Sequence, residues 1–476
     1  MLLLNMFRNL MKNKVQFFSI FMMSFLGLFT FVGLDSEVTG FTFAEGSYYT
    51  QQNLGDLYLF DRNFSADDEK MIENLPEVNS ASRRIKVSGK AVLPENNKDA
   101  DMEMNFIEED EISKLLIKDG VPYSSGDGGV WLDYIFAEKN NIKIGDTVSL
   151  KYEDSTWSEI VRGTVMHPEH LYFLQDVAQM MPSYGTYGFC YMDVKENPDP
   201  EMITFSEMAV DLKDIDNLNP LTDEEKDHIS RIGEKISDIL DRDTLAFYDK
   251  NGLLSYQTFR SEMDQHKAMS FMFPVVFILI SMLGIITTMT RLTARQRVQI
   301  GTLKALGLSK RVITLHYVSY GFFLSLAGSL AGAAAGYKYI VDMIVDMMKQ
   351  TYLLPNAGGR LSYNSIFIII AEVVIASFVS YLSCRRELSP PPAETLRPAS
   401  PKNLKPSAFE KSALWNSFSF STQWNLRDIK RNKARTGMGI IGVAGCTMLM
   451  LAAFGCLDSI NFITDWMYGE LNTCSY

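Results

Sequence analysis

The chain has 476 residues and a formal net charge of −12, and 47% of its residues are hydrophobic, 12% aromatic and 21% charged. This length predicts several domains, the apolar fraction excludes a disordered chain, and 31 Gly and 16 Pro are too few for a fibrous repeat. Residues 36–265 hold 46 of the 57 acids and 21 of the 45 bases, a net charge of −25, whereas the remainder carries +13; this asymmetry indicates two parts in different environments and argues against nucleic acid as a partner of the acidic part.

Five apolar runs are each long enough to cross the roughly 30 Å hydrocarbon layer of a membrane as a helix. They are Val15–Leu34, Ala268–Thr290, Val312–Gly336, Ser365–Ser383 and Gly437–Leu457. The bases that precede the first run would also suit a cleavable signal peptide. That run, however, is longer than the usual apolar core of about 7–15 residues, and no A-x-A site follows it. We therefore predict an uncleaved first helix and an α-helical multi-pass protein embedded in a lipid bilayer.

The bases between these runs predict the orientation of the chain in the membrane. The connection 291–311 carries six bases and no acid, and the connection 385–436 carries eleven bases against four acids. Loops rich in Lys and Arg stay on the cytoplasmic side. We therefore expect a bacterial cytoplasmic membrane protein with a cytosolic N-terminus, and we place the acidic region 36–265 outside the cell.

The predicted segments follow one another along the chain as ten regions. They are an amphipathic start with the first membrane helix (1–36), an extracytoplasmic α+β domain (37–265), the second membrane helix (266–290), a cytosolic coupling segment (291–311), the third membrane helix (312–336), an outer loop (337–364), the fourth membrane helix (365–384), a cytosolic basic linker (385–436), the fifth membrane helix (437–459) and the start of a further outer region (460–476).

Short strands and helices alternate in the acidic region, which predicts an α+β domain of one or two lobes. Asp56–Phe60 alternates like a strand, and Ser65 followed by three acids is typical of a helix start. Residues 222–240 place four isoleucines at helical spacing. The stretch Tyr256–Ala268 is expected to continue as a helix into the second membrane segment.

The sequence contains no constellation typical of a catalytic site. The M-H-P-E-H stretch holds His167, Glu169 and His170, which are metal-capable side chains, but Pro168 prevents a helix that would bring both histidines to one face. We expect a turn between strands there. The five cysteines form no C-x-x-C pair, and no G-x-x-x-x-G-K-[ST] motif occurs. We therefore predict no catalytic residue, no metal site and no cofactor in this chain.

The connection 291–311 contains the most specific motif of the chain. Ile300, Leu303 and Leu306 form an apolar stripe among the bases, Gly307 suits a helix end, and Ser309 suits the start of the next helix. Two interpretations follow from the residues alone. The segment is either a helix on anionic lipid headgroups or a docking element for a cytosolic partner.

The run Q-I-G-T-L-K-A-L-G at 299–307 resembles the R-E-I-G-x-x-x-A-L-G signature of the FtsX-like permease family, the MacB-type membrane subunits of ABC transporters. Residues 131–150 and 163–173 resemble stretches of that family's outer domain, and Pro392–Arg397 (P-A-E-T-L-R) resembles the tail after its fourth membrane helix. The four matches occur in the family's order and cover essentially the whole chain. One departure is Gln299, where the family has an acid.

The resemblance implies a non-enzymatic membrane subunit with a MacB-like periplasmic core domain. Its ATP would be bound and hydrolysed by a separate cytosolic ABC ATPase, and that hydrolysis would move the outer domain, for export or extraction of a lipid, peptide, lipoprotein or drug. By the same analogy the ATPase docks on the coupling segment, at Arg295, Arg297, Gln299, Ile300, Gly301, Leu303, Lys304, Leu306 and Gly307. A membrane-bound sensor, or a regulator of an extracytoplasmic hydrolase or of a peptide-resistance system, is the alternative.

Two features within the membrane runs also point to function or packing. Glu372 is the only acid well inside a run, and such an acid is either functional or a hydrogen-bonded packing residue. Gly328, Gly332 and Gly336 form a small-residue face that lets another helix approach closely, either within the chain or in a dimer.

Residues 424–459 look like a second copy of 5–36, since a basic stretch, an apolar run and Leu-Asp-Ser recur in both. This repeat predicts that the chain is truncated after the first helix of a second unit, so that the complete protein would be a pseudo-dimer. A homodimer is the alternative.

Overall fold

The computed structural model describes residues 8, 11, 14–93, 98–126, 128–175, 182–200, 203–213, 215, 223–242, 244–396, 415, 418–431 and 433–466. The chain divides into a helical unit, formed by residues 1–36, 267–341 and 361–476, and a sheet unit, formed by residues 37–266 and 342–360.

The α-helices of the described residues are α1 (Lys14–Gln51), α2 (Ala66–Glu73), α3 (Tyr134–Lys139), α4 (Asp223–Leu240), α5 (Leu254–Arg295), α6 (Arg297–Ala305), α7 (Lys310–Ala335), α8 (Val341–Met348), α9 (Tyr363–Leu388), α10 (Pro392–Thr395), α11 (Phe420–Arg431) and α12 (Lys433–Asp465). The strands are β1 (Leu57–Phe60), β2 (Val78–Val92), β3 (Asp99–Ile107), β4 (Leu116–Gly120), β5 (Val130–Asp133), β6 (Thr147–Tyr152), β7 (Ser155–Met166), β8 (Tyr187–Asp193), β9 (Glu207–Leu212) and β10 (Ala246–Asp249).

Within the described residues, five helices are long and apolar enough to cross a membrane. They are α1, α5, α7 with its continuation, α9 and α12. The chain between the first and second of them forms a sheet with helices. The structure therefore confirms the predicted fold class, an α-helical multi-pass membrane protein with an α+β domain between the first two membrane helices.

Two helices extend further than the sequence analysis predicted. The first helix does not end near residue 36, because α1 continues to Gln51 and buries aromatic side chains such as Phe41 and Tyr49 in the sheet unit. The predicted outer loop 337–364 begins as a helix: a π turn, Gly336–Ile340, leads into α8. Ile344 and Met348 of α8 are buried and lie four residues apart, on one face of the helix. The sequence analysis assigned these apolar residues to a short loop and did not predict the helix.

The small-residue face Gly328, Gly332 and Gly336 lies directly against α1. A Cβ atom added to any of the three would lie far inside van der Waals contact of a main-chain carbonyl oxygen of α1. The backbones of α1 and α7 therefore approach closely at these three positions, where a larger side chain would clash.

The described strands form one ten-stranded sheet with the order β10-β1-β9-β2-β3-β8-β5-β7-β4. Strand β6 pairs with both β2 and β7, so that β2, β3, β8, β5, β7 and β6 close into a ring of paired strands. The pairs β3–β8 and β5–β7 are parallel, and the others are antiparallel. Closure of the ring gives each of these strands a paired strand on both sides over part of its length.

Two large hydrophobic clusters of the sheet unit share β2. The ring encloses one of them, which contains Met104, Leu132 and Val148. The other lies where α2 and α4 cover β1, β9 and the first half of β2, and it buries Ile229 and Ile236 of the predicted isoleucine stripe. Ser65 begins α2 as predicted: its hydroxyl accepts from the Asp68 amide, and the Asp68 carboxylate accepts from the Ser65 amide.

We expect Gly332→Leu to destabilise the helical unit by about 1–3 kcal/mol or more, because the side chain would force α7 away from α1. Ala334→Leu on the same helix is the matched control, since Ala334 is exposed. The Tm of the purified protein in detergent measures the effect. Equal Tm values for the two variants would contradict the close packing of α1 and α7.

Candidate functional site

The candidate site is α6, the short helix that connects two membrane-span helices. One residue, Gln296, separates it from α5. At its other end Gly307 has a φ of +91°, the Gly307 amide donates to the Lys304 carbonyl, and the Leu308 amide donates to the Leu303 carbonyl at 3.1 Å. This is a Schellman motif, which favours glycine at the left-handed position. Ser309 then begins α7, and its hydroxyl accepts from the Val312 amide. The predicted helix end and helix start are both confirmed.

One face of α6 is part of the interior of the helical unit. Ile300 and Gly301 are buried, and Leu303 is half-buried against the same cluster. The hydroxyl of Tyr317 on α7 donates to the Gln296 side-chain oxygen at 2.7 Å. These contacts fix α6 against α5 and α7, so three of the nine predicted docking residues serve to hold the segment in place.

Two basic residues of α6 are held by the chain that follows α9. The Lys304 ammonium donates to the carbonyl oxygens of Leu388 at 2.8 Å and Pro390 at 2.6 Å, and Arg297 donates to the Glu394 carbonyl at 3.1 Å. Partial burial and the neighbouring Lys310 lower the pKa of Lys304. The structure thus brings together the Q-I-G-T-L-K-A-L-G and P-A-E-T-L-R motifs, although about 90 residues separate them. Arg397, the last residue of the second motif, lies outside the described residues.

The opposite face of α6 is open. Gln299, Leu306 and Gly307 of the predicted set are exposed there, and Arg295, the last residue of α5, is exposed beside them. Val298 and Thr302, which sequence reasoning did not select, are exposed on the same face, and Val298 and Leu306 leave 58% and 72% of their surfaces accessible. The spacing 298, 302, 306 could have identified this second stripe, because residues four apart share a helix face. The open face therefore offers two apolar side chains beside an arginine and a glutamine.

Glu372 is buried in the helical unit and accepts a hydrogen bond from the Ser24 hydroxyl at 2.7 Å. The Ser281 hydroxyl lies 3.4 Å from that of Ser24, so one polar group from each of α1, α5 and α9 meets at this point. A buried carboxyl group with a hydroxyl partner links helices within an apolar layer. This arrangement fits the packing interpretation of Glu372.

The M-H-P-E-H stretch follows β7 as a single 3-10 turn, as expected for a connection between strands. Glu169 pairs with Arg84 at 2.8 Å, and His170 lies 3.1 Å from Glu103. His167 is buried, which holds its pKa well below the ordinary value, and its Nδ1 accepts from the Glu169 amide. In the part of the chain that the structure describes, no three His, Cys, Asp or Glu side chains meet as a metal-binding group.

Two carboxylates of this buried network remain ionised in the folded protein. Burial disfavours the charged form of Glu103, but Lys86 and His170 outweigh it and hold the pKa of Glu103 well below 4.5. Burial likewise opposes ionisation of Glu169, and Arg84 more than compensates, so the pKa of Glu169 is also lowered. These groups tie β2, β3 and the turn after β7 together.

Residues 271–390 match the family model of the FtsX-like permease C-terminal domain. This range contains α6, α7, α8 and α9, and it begins within the span of α5. This part of the chain is therefore similar to the C-terminal domain of FtsX-like permeases, and the resemblance predicted from residues 299–307 is confirmed.

Three solved structures are similar to the chain over less than half its length. They are the periplasmic region of MacB from Actinobacillus actinomycetemcomitans (12% identity, 45% of this chain and 95% of that chain, TM-score 0.29), the extracellular domain of the noncanonic ABC-type transporter YknZ from Gram-positive bacteria (14%, 41% and 98%, 0.27) and a domain of a putative permease protein from Porphyromonas gingivalis (15%, 41% and 88%, 0.27). No curated protein matches this chain in sequence.

We expect the sheet unit to lose stability as the pH falls below about 4.5, because Glu103 and Glu169 take up protons there in the unfolded chain, whereas their lowered pKa values keep them charged in the folded state. In Glu103→Gln one of these groups no longer titrates, so the loss between pH 4.5 and 3 should be shallower than in the unmodified chain. Tryptophan fluorescence melts at several pH values measure both slopes. Equal slopes would contradict the role of Glu103.

Proposed function

We propose that this chain is the membrane subunit of an ABC-type transporter or mechanotransmission complex. A separate cytosolic ATPase docks on the open face of α6. ATP hydrolysis in that partner then moves the extracytoplasmic domain, for export or extraction of a lipid, peptide, lipoprotein or drug.

The observation that carries this proposal is the exposed pair Val298 and Leu306 on a helix whose other side is immobilised. A helix on a lipid surface would bury its apolar face in the bilayer and direct its bases to lipid phosphates. In α6 the main apolar residues are instead used in the protein interior, and Lys304 and Arg297 donate to main-chain carbonyls. The remaining apolar pair with Arg295 is typical of a small protein-docking surface.

The anchoring of α6 explains how docking could move the membrane helices. One residue connects α6 to α5, and a Schellman motif connects α6 to α7. Lys304 of α6 also donates to two carbonyls, of the last residue of α9 and of Pro390 just after it. A displacement of α6 therefore pulls on the inner ends of three helices. Of the helices described, α1 and α5 each run unbroken from an apolar span into residues of the sheet unit, and a helix transmits displacement along its axis.

Docking on α6 predicts that Val298→Asp combined with Leu306→Asp abolishes copurification of the ATPase with the affinity-tagged chain. Each charge would have to be buried without a partner at the interface, at a cost of several kcal/mol. Mass spectrometry identifies the copurified proteins, and the ATPase is recognised among them by a P-loop motif in its sequence. Its amount is measured by the rate of ATP hydrolysis.

Val298→Ile with Leu306→Met is the matched control and should keep the ATPase bound. An unchanged amount of ATPase on the aspartate double variant would contradict docking at α6 and would favour the sensor interpretation. Equal yields of membrane-extracted chain in all variants show that insertion is unaffected.

The proposed orientation in the cytoplasmic membrane predicts opposite labelling of two introduced cysteines. In a chain whose five native cysteines are replaced by alanine, Ser125→Cys should react with an impermeant thiol reagent in intact cells, because we place residue 125 outside. Ser400→Cys should react only after the cells are opened. The reverse pattern would invert the topology.

A further inference from the structure

The short helix α11 comes directly before the fifth membrane-span helix and belongs to the same helical unit. It ends at Arg431, and α12 begins two residues later, at Lys433. The apolar run of α12 starts at Gly437, so about 6 Å of helix lies between the first residue of α12 and that run. This short connection keeps α11 near the membrane surface from which α12 starts.

Helix α11 presents two large aromatic side chains that the described part of the chain leaves open. Phe420 and Trp424 leave 78% and 60% of their surfaces accessible. Their ring centres lie 6.2 Å apart, because residues four apart share a helix face. An exposed apolar patch marks a site at which a protein or a membrane is bound. The aromatic pair is therefore a candidate interaction surface.

The neighbouring face of α11 is held by contacts within the chain. The Gln423 side-chain amide donates to the carbonyl oxygens of Trp415 at 2.9 Å and Phe418 at 3.1 Å. The guanidinium of Arg427 lies 5.3 Å from the ring centre of Trp415, which is buried. These contacts fix the start of α11 and leave its aromatic pair available to another surface.

The charge around the junction of α11 and α12 is complementary to an anionic surface. Residues 427–435 contain five bases and one acid, and the whole connection 385–436 contains eleven bases and four acids. About four to eight bases beside a membrane helix are typical of a segment that binds acidic phospholipid headgroups. The membrane that α12 crosses supplies such headgroups next to these bases.

The exposed side chains of α11 differ in kind from those of the docking helix α6. The apolar side chains that α6 exposes, Val298 and Leu306, are aliphatic, whereas α11 exposes a phenylalanine and a tryptophan. Tryptophan is enriched where a protein meets lipid headgroups, because its ring is apolar and its N–H group is polar. The aromatic pair beside five bases therefore favours a lipid surface over a protein groove.

We propose that α11 lies on the membrane surface and binds acidic phospholipids, with Phe420 and Trp424 at the level of the headgroups. The positive charge of residues 427–435 attracts the lipid phosphates, and the aromatic pair enters the boundary between headgroups and acyl chains. This binding anchors the start of α12 at the headgroup layer. The surface is separate from the docking face of α6, and the proposal does not depend on the direction in which the chain crosses the membrane.

The test uses the full chain, with its five native cysteines replaced by alanine, in nanodiscs of phosphatidylcholine alone and of an equimolar mixture with phosphatidylglycerol. The environment-sensitive fluorophore NBD is attached to Phe420→Cys or, as the matched control, to Thr422→Cys, an exposed position on the opposite side of α11. The emission at residue 420 should shift to shorter wavelengths and be quenched by nitroxide-labelled lipid, more strongly with phosphatidylglycerol. The emission at residue 422 should remain that of a probe in water.

The contribution of charge is tested by Lys430→Gln combined with Lys433→Gln, which should reduce the phosphatidylglycerol effect by about half or more, because each base near the surface adds attraction. High salt should reduce the effect in the same direction without any substitution at these positions. Equal yields of membrane-extracted chain show that α12 still inserts.

Three results would overturn the proposal. An aqueous emission at residue 420 in both lipid compositions would show that α11 does not lie on the membrane. A shift of equal size in both compositions would remove the acidic phospholipid and leave only insertion of the aromatic pair. A shift that appears only when the copurified ATPase is added would assign this face to that partner.

Discussion

Each backbone amide that crosses a hydrocarbon layer must find its hydrogen-bond partner inside the protein, and the helical unit of this chain follows from that requirement. The spans are helices, and their contacts depend on close backbone approach where the hydrophobic effect offers little. The glycine face of α7 against α1 is the clearest example. Glu372, a carboxyl group buried among these apolar helices, accepts a hydrogen bond from the Ser24 hydroxyl.

For the same reason, charged side chains of this chain lie mainly in the connections between the spans, where both water and backbone groups can bind them. Helix α6 illustrates this point, because Lys304 donates to carbonyls at the end of α9 and in the turn that follows it, and Arg297 donates to the Glu394 carbonyl of α10. The last carbonyls of a helix have no partner within the helix, and a lysine from a neighbouring element satisfies them. The contacts of Lys304 thus complete α9 and position α6 at the same time.

The sheet unit stabilises itself in a different way. Strand β6 closes a ring around an apolar core, and a buried network of Arg84, Glu169 and Glu103 links the strands to the turn after β7. Such a network is costly unless every charge is paired, so the unit tolerates little rearrangement there.

The number of membrane helices, the α+β character of the acidic region and the resemblance to FtsX-like permeases were predictable from sequence, because apolar length, alternation and motif order are local properties of the chain. The ends of α6 were predictable for the same reason, since Gly307 and Ser309 act on their immediate neighbours. Tertiary structure decided which residues of α6 are available to a partner: Ile300 and Leu303 pack inside, Arg297 and Lys304 bind a segment about 90 residues away, and Val298 becomes exposed. It also decided the extension of α1 to Gln51 and the closure by β6, because each depends on contacts between residues distant in sequence, which no local pattern encodes.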